Sequence, residues 1–270
     1  MRCLPLTPHT SRFARVNTHD AGKLLWDSSR EGVHDPSELR GRLTMDEAVR
    51  VQLDVLGRSL AAGERQTGWK IGLTNDAVRA QLKSEAPVHG YLLASRGFAG
   101  GQSIDIGSAF KPTIESELCF LLGGDLRGPG VTTADVLDAL DAVCPAFELL
   151  EGRGDMAADL PLSTADNVRQ WGYVLGQWVR PYPTSLDLAD VRAEVRQNGN
   201  VVVDVLGRDA IDDQVRAVAW LANSLARFDR FLESGQIIMS GSYHGARPIA
   251  MGERWETQFS GIGSVTSDFG

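Results

Sequence analysis

Residues 113–122, Thr-Ile-Glu-Ser-Glu-Leu-Cys-Phe-Leu-Leu, constrain this chain more than any other stretch. They read as a β-strand, along which side chains alternate between two faces. Glu115 and Glu117 therefore share a face with Cys119 and Leu121, which are not solvent-facing types. Two carboxylates stand at one end of a face that is otherwise buried. Like charges taken out of water repel and lose hydration, so they need a cation or a proton. A divalent metal meets that need. The alternative is a strand end that reaches water with two solvated glutamates.

Two further strands carry a charge among apolar neighbours. Gly68-Trp69-Lys70-Ile71-Gly72-Leu73-Thr74 puts Trp69, Ile71 and Leu73 on one face and Lys70 with Gly72 on the other. Lysine is almost never fully buried without a partner. Lys70 is either an exposed strand lysine or one that reaches a pocket holding an anion. Cys144-Pro145-Ala146-Phe147-Glu148-Leu149-Leu150 holds a third glutamate opposite the Phe147 and Leu149 face. An interior Glu148 would be costly without a counter-charge. His89, before Gly90, is either a loop histidine or an acid/base group.

Length and charge bound the rest. A chain of 270 residues can bury a sizeable core, as one large domain or a domain with a helical annex. Its net charge of −8, without a basic run, argues against nucleic-acid binding. No apolar run approaches a membrane span. Cys3, Cys119 and Cys144 are odd in number and widely spaced, and read as reduced thiols of a cytoplasmic protein. Residues 1–8 lack the apolar core of a signal peptide. Arginines without acids up to Val16 fit either an organelle transit segment or a frayed tail.

Helical patterns come first. Residues 20–29 put Ala21, Leu24 and Leu25 on one face. Thr44 with Glu47 is a capping box ahead of Val49, Leu53, Leu56 and Leu60, and Gly63 offers a stop. A short helix is expected over 75–82 and another from Thr132 or Thr133 that carries Leu140 and Val143. Residues 152–160 read as a loop or short helix that could cover a site, and 163–167 as a polar turn. Asn198-Gly199 joins a β-hairpin of 191–197 and 201–205. An amphipathic helix spans 212–227, and strands are expected over 236–240, 254–259 and 263–269. Strands dominate the last two thirds, which argues for an α+β fold with a mixed sheet.

Six motifs occur in order: 68–74 as above, Ile-Glu-Ser-Glu-Leu at 114–118, Pro-Ala-Phe-Glu at 145–148, Ala-Asp-Asn at 165–167, Ala-Trp-Leu-Ala at 219–222 and Gly-Ile-Gly-Ser-Val at 261–265. Together they resemble the 2-keto-4-pentenoate hydratase and 4-oxalocrotonate decarboxylase group of the fumarylacetoacetate hydrolase superfamily, over roughly residues 40 to 269. The resemblance implies a fumarylacetoacetase-like mixed β-roll at 68–270 behind a helical N-terminal region at 1–67. It implies one Mg²⁺ or Mn²⁺ on Glu115, Glu117 and Glu148, oxygen donors that suit such ions. It gives Lys70 a role in binding substrate oxygen or moving protons; Leu73, Asp166, Asn167, Arg169 and Ser242 are the candidate substrate-binding residues. The substrate implied is a small 2-hydroxy-dienoate or its 2-keto tautomer, hydrated to a 4-hydroxy-2-keto acid. Decarboxylation of an oxalocrotonate-like diacid, C–C hydrolysis of an acylpyruvate, and an impaired partner subunit are the rival readings. A homo-oligomer is expected, and hydratases and decarboxylases of this group associate with one another.

The chain departs from the group in three places. Hydratases often have Pro-Asp-Tyr/Phe-Gly where this chain has Val88-His89-Gly90, which offers His89 for the aspartate's proton-handling role. Val168-Arg169-Gln170-Trp171 replaces smaller residues, so Arg169 and Trp171 either narrow the pocket, bind a second anionic end, or decorate a variable loop. Ser240-Gly241-Ser242-Tyr243-His244 stands where the group commonly has a Thr-Gly or Gly-Ser turn near the pocket, which makes Tyr243 and His244 candidates for substrate contact.

Overall fold

The computed structural model describes residues 16–270, so Cys3 and the start of the chain lie outside the described residues. Asn17 caps α1 (Thr18–Arg30) by accepting from the His19 and Asp20 N–H groups. Thr44 and Glu47 form the reciprocal capping box of α2 (Met45–Ala61), and Gly63 beyond it has φ +97°. β1 (Gln66–Gly72), α3 (Asp76–Gln81), β2 (Val88–Leu93), β3 (Gly97–Ala99) and β4 (Ser103–Ile104) lead to β5 (Thr113–Leu122). α4 (Thr133–Ala139), β6 (Leu140–Leu150), α5 (Leu160–Ala165) and β7 (Gln170–Leu175) follow. The hairpin β8 (Arg192–Gln197) and β9 (Asn200–Leu206) turns at Asn198 and Gly199, both at positive φ. The remainder is α6 (Gly207–Ala210), α7 (Gln214–Ala226), β10 (Ile237–Ser242), β11 (Arg247–Pro248), β12 (Arg254–Phe259) and β13 (Gly263–Phe269).

Two expectations change. Leu140 and Val143 belong to β6, not to the helix before it. The strand is buried on both faces, so its apolar run has no polar alternation to separate it from a helical stripe. Ser163 and Thr164 lie in buried α5 instead of a polar turn, and the Thr164 hydroxyl donates to the Leu160 carbonyl at 2.9 Å.

The strands form a mixed eight-stranded sheet, ordered β2-β1-β10-β5-β6-β7-β3 with β11 on β5, and a five-stranded sheet, β4-β13-β12-β8-β9. In a flat sheet β1 and β6 would lie about 14 Å apart, three strand spacings. Yet Lys70 of β1 and Glu148 of β6 bring side-chain atoms to 3.1 Å. The larger sheet is therefore strongly curled, and β3, which continues from β2, pairs with β7 to draw its edges together.

The curl turns one face inward. Leu92, Cys119, Cys144, Ala146, Tyr173 and Met239 fill its closed end. Outside, α7 packs Ala219, Ala222 and Leu225 on Trp69, Phe120 and Ile238. The second sheet packs Val195, Trp255 and Phe269 on Phe147, Leu149 and Val174. α1 and α2 share a smaller core with Leu162 and Ala165 of α5. No helix among the described residues is long and apolar enough to cross a membrane.

Candidate metal centre and active site

β5 and β6 pair with Glu115 opposite Glu148 and Glu117 opposite Ala146. Directly opposed residues share a face, so all three glutamates project into the roll. One ligand oxygen from each lies within 4.8 Å of the others. Glu117 and Glu148 are each 1% exposed, and Glu115 is partly exposed. Burial, and after it the Glu148 charge, pushes the Glu115 carboxyl up to about 7. The same causes hold Glu117 well above the usual carboxylate range.

These residues fit a divalent ion. The donor set is all oxygen and carries more negative charge than the nearby cation offsets. Oε1 of Glu148 is buried without a hydrogen-bond donor. Lys70 Nζ lies 3.1 Å from it, off hydrogen-bonding geometry, so that contact is an ion pair that leaves the oxygen's lone pairs open.

Lys70 is 2% exposed, and its Nζ also donates to the Val168 carbonyl at 3.4 Å. Gly90 stands opposite Lys70 in β2. A Cβ there would fall 3.1 Å from Lys70 Cε and 2.8 Å from Asn167 Oδ1, so glycine lets the lysine run across the strand. Asn167 accepts from the Tyr91 N–H at 2.8 Å and donates to the Tyr91 carbonyl at 3.0 Å. It thereby anchors a turn in which Asn167, Val168 and Arg169 all take positive φ, at 52°, 49° and 61°.

A cavity of about 490 Å³ opens over this cluster. Lys70, Leu73, Glu115, Glu117, Arg169 and Ser242 line it, while Glu148 lies beneath. Val78, Leu150 and Val205 supply apolar wall, and Met156 brings the 152–160 segment against it.

Four expected contacts are not made. In the β1–β2 ladder Gly72 faces Val88 and Ile71 faces His89. Val88 thus lies on the Lys70 side, and His89 points through the other side of the sheet. There its ring sits 5.7 Å from Trp69 and 6.1 Å from Trp220, beside a separate cavity. The hydratase aspartate of Pro-Asp-Tyr/Phe-Gly falls at Val88, an apolar cavity residue, and His89 cannot replace it from the far face. Asp166 is turned away to Arg153 at 3.2 Å, and Asn167 is spent on Tyr91, so neither lines the cavity. Trp171 is buried against Phe98 and Arg96, away from it.

A second layer consists mostly of backbone and left little trace in the sequence. The end of β10 and the loop after it hold three consecutive residues of β5. Gly241 N–H donates to Glu117 at 3.0 Å, Ser116 N–H donates to His244 Nε2 at 3.1 Å, and the Ala246 backbone hydrogen-bonds Glu115. Since Nε2 accepts, the His244 proton is on Nδ1, where it donates to the Gly245 carbonyl at 2.8 Å. Gly241 was the visible sign, as its φ is +115° and a Cβ would collide with Thr74.

Comparison with known proteins agrees with this geometry. Residues 70–269 match the family described as fumarylacetoacetate (FAA) hydrolase C-terminal. A 2-hydroxyhexa-2,4-dienoate hydratase of Comamonas testosteroni is 34% identical over 84% of this chain and 87% of its own. A 2-oxo-hept-4-ene-1,7-dioate hydratase of Escherichia coli is 34% identical over 90% and 93%. The solved 4-oxalocrotonate decarboxylase of Pseudomonas putida, complexed with magnesium and adipate, superposes with a TM-score of 0.87 at 27% identity, over 96% of this chain and 100% of that one. The chain belongs to the fumarylacetoacetate hydrolase family, in its branch of 2-keto-4-pentenoate hydratases and 4-oxalocrotonate decarboxylases.

Proposed function

We propose that this protein is a divalent-metal-dependent hydro-lyase that hydrates a small 2-hydroxy-2,4-dienoate, or its 2-keto-enoate tautomer, to a 4-hydroxy-2-keto acid. The observation that carries the reading is the buried Glu115–Glu117–Glu148 cluster with Lys70 ion-paired beside it at the floor of a cavity sized for a small acid. Glu115, Glu117 and Glu148 would hold Mg²⁺ or Mn²⁺, whose charge, when bound, favours an enolate over its keto form. Lys70, fixed by Glu148 and the Val168 carbonyl, is the group placed to move a proton at a substrate atom above the carboxylates. With Val88 beside it in place of an acid, proton handling falls to Lys70. Val78, Leu150, Met156 and Val205 keep bulk water off the chain of the substrate.

Decarboxylation of a 2-keto diacid is the second reading, favoured by that apolar Val88. Incubation with Mg²⁺ or Mn²⁺ and 2-hydroxypenta-2,4-dienoate, followed by loss of dienol absorbance, tests the first. CO₂ release from 2-oxo-3-hexenedioate without hydration of any dienoate would replace it with the second. Lys70→Met should lower turnover by about 10²- to 10⁴-fold while the metal still binds. A homo-oligomer in the cytoplasm completes the reading. Cys119 and Cys144, opposed across β5 and β6 as buried free thiols, accord with a reducing setting, and sedimentation velocity tests the assembly.

A further inference from the structure

Among the described residues, Lys70 and Arg169 are the only lysine or arginine side chains that line the cavity. Lys70 is committed to Glu148. Arg169 is not committed: its Nε is buried without a hydrogen-bond partner, and its guanidinium joins no ion pair among the described residues. A buried arginine donor left unmet costs free energy unless something in the cavity accepts from it.

The backbone strains to keep Arg169 there. Three consecutive left-handed residues precede β7, and one is the β-branched Val168, for which that conformation is an outlier. The turn is braced from both sides. Glu151 N–H donates to the Arg169 carbonyl at 2.9 Å, and Arg153 donates to the Asp166 and Gln170 carbonyls at 3.2 and 3.3 Å. Such bracing suits a side chain that must hold a fixed direction more than one decorating a loop.

The position also matters. Arg169 acts electrostatically on Glu115, the outer and partly exposed carboxylate. In the inner cluster a divalent ion, once bound, would together with Lys70 offset the three carboxylates. Arg169 is a surplus cation lying outward of that balance. Asp209, the one acidic wall residue beyond the cluster among the described residues, is solvent-exposed and screened.

We propose that Arg169 binds a second carboxylate of the substrate, remote from its 2-keto acid end, so that the enzyme selects 2-keto-enedioates over monoacids of equal length. This rests on the metal-bound 2-keto acid reading above and names the substrate class for it. The planar guanidinium fork matches a carboxylate through two parallel hydrogen bonds.

Binding of two unreactive saturated probes tests this separately from turnover. In the Mg²⁺-loaded protein, 2-oxoadipate and 2-oxohexanoate share a chelating end and differ only at the far one. Calorimetry should show the diacid binding about ten- to hundred-fold more tightly. In Arg169→Gln the ratio of the two affinities should fall to about one, and Arg169→Lys should restore part of it. A parallel Mg²⁺ titration shows that each variant keeps its metal site. Equal affinities in the native protein, or an unchanged ratio in Arg169→Gln, would overturn the proposal. A diacid preference without turnover of any dienoate or diacid would instead leave the subsite standing and remove the lyase reading.

Discussion

His89 offers the sharpest test of the site's geometry, because its sequence position suggests catalysis and its place in the sheet points the ring away from the cavity. The ring is 2% exposed, and neither nitrogen has a partner. Burial first, and the Lys70 charge second, lower its pKa from 6.5 to about 4. A lowered histidine pKa means that the unfolded chain takes up the proton first. The contribution of His89 to stability is therefore complete above about pH 6.5 and is lost as the pH falls toward about 4. At about 1.4 kcal/mol per pH unit, that interval is worth about 3 kcal/mol. His89→Phe keeps a flat ring between Trp69 and Trp220 and removes the titration. Urea unfolding of both proteins at pH 7.5 and near pH 4 should show the variant losing about 2–3 kcal/mol less than the native protein. Other titrating groups act on both and cancel. Turnover of the metal-loaded variant should stay within about three-fold of native, because the ring is on the far side of the sheet from Lys70. A hundred-fold loss of turnover in a folded variant would return His89 to the reaction. An unchanged acid slope would show that its nitrogens are not orphaned.

Four other outcomes follow from the inner face. Glu117→Gln should abolish divalent-ion binding in calorimetry and with it the rise in melting temperature on adding Mg²⁺; unchanged affinity would refute the ligand assignment. Because Glu115 is raised to about 7, the metal-free protein should lose stability as the pH rises from about 4.5 through 7. Metal binding should release protons and weaken below about pH 7, which titration in buffers of different ionisation heat would reveal. Gly90→Ala should drive a methyl into Asn167 and Lys70, and kinetics should show kcat falling about ten-fold or more, a larger effect than its shift in melting temperature suggests.

Much of the fold was legible because its signals are local. The Thr44 capping box, the helix start at Thr132 or Thr133, the Asn198-Gly199 turn and the alternation in β5 each lie within a few residues. The ambiguous places were those buried on every side. β6 from Leu140 has no exposed face to reveal its period, and α5 hides Ser163 and Thr164.

The site divides in the same way. Sequence alone determined that Glu115 and Glu117 share a face, because a strand alternates by two, and that Glu148 and Lys70 sit in strands whose surroundings are apolar. It also determined, through six ordered motifs, which family those residues belong to. Only the tertiary structure decided that Lys70 meets Glu148, since three strand spacings must be curled away before they touch. It alone decided that His89 faces outward and Val88 inward, because a one-residue step in register exchanges the faces of a strand. And it alone drew Asp166 and Asn167 away while leaving Arg169 in the cavity, because a run of left-handed backbone redirects side chains in a way that residue spacing does not encode.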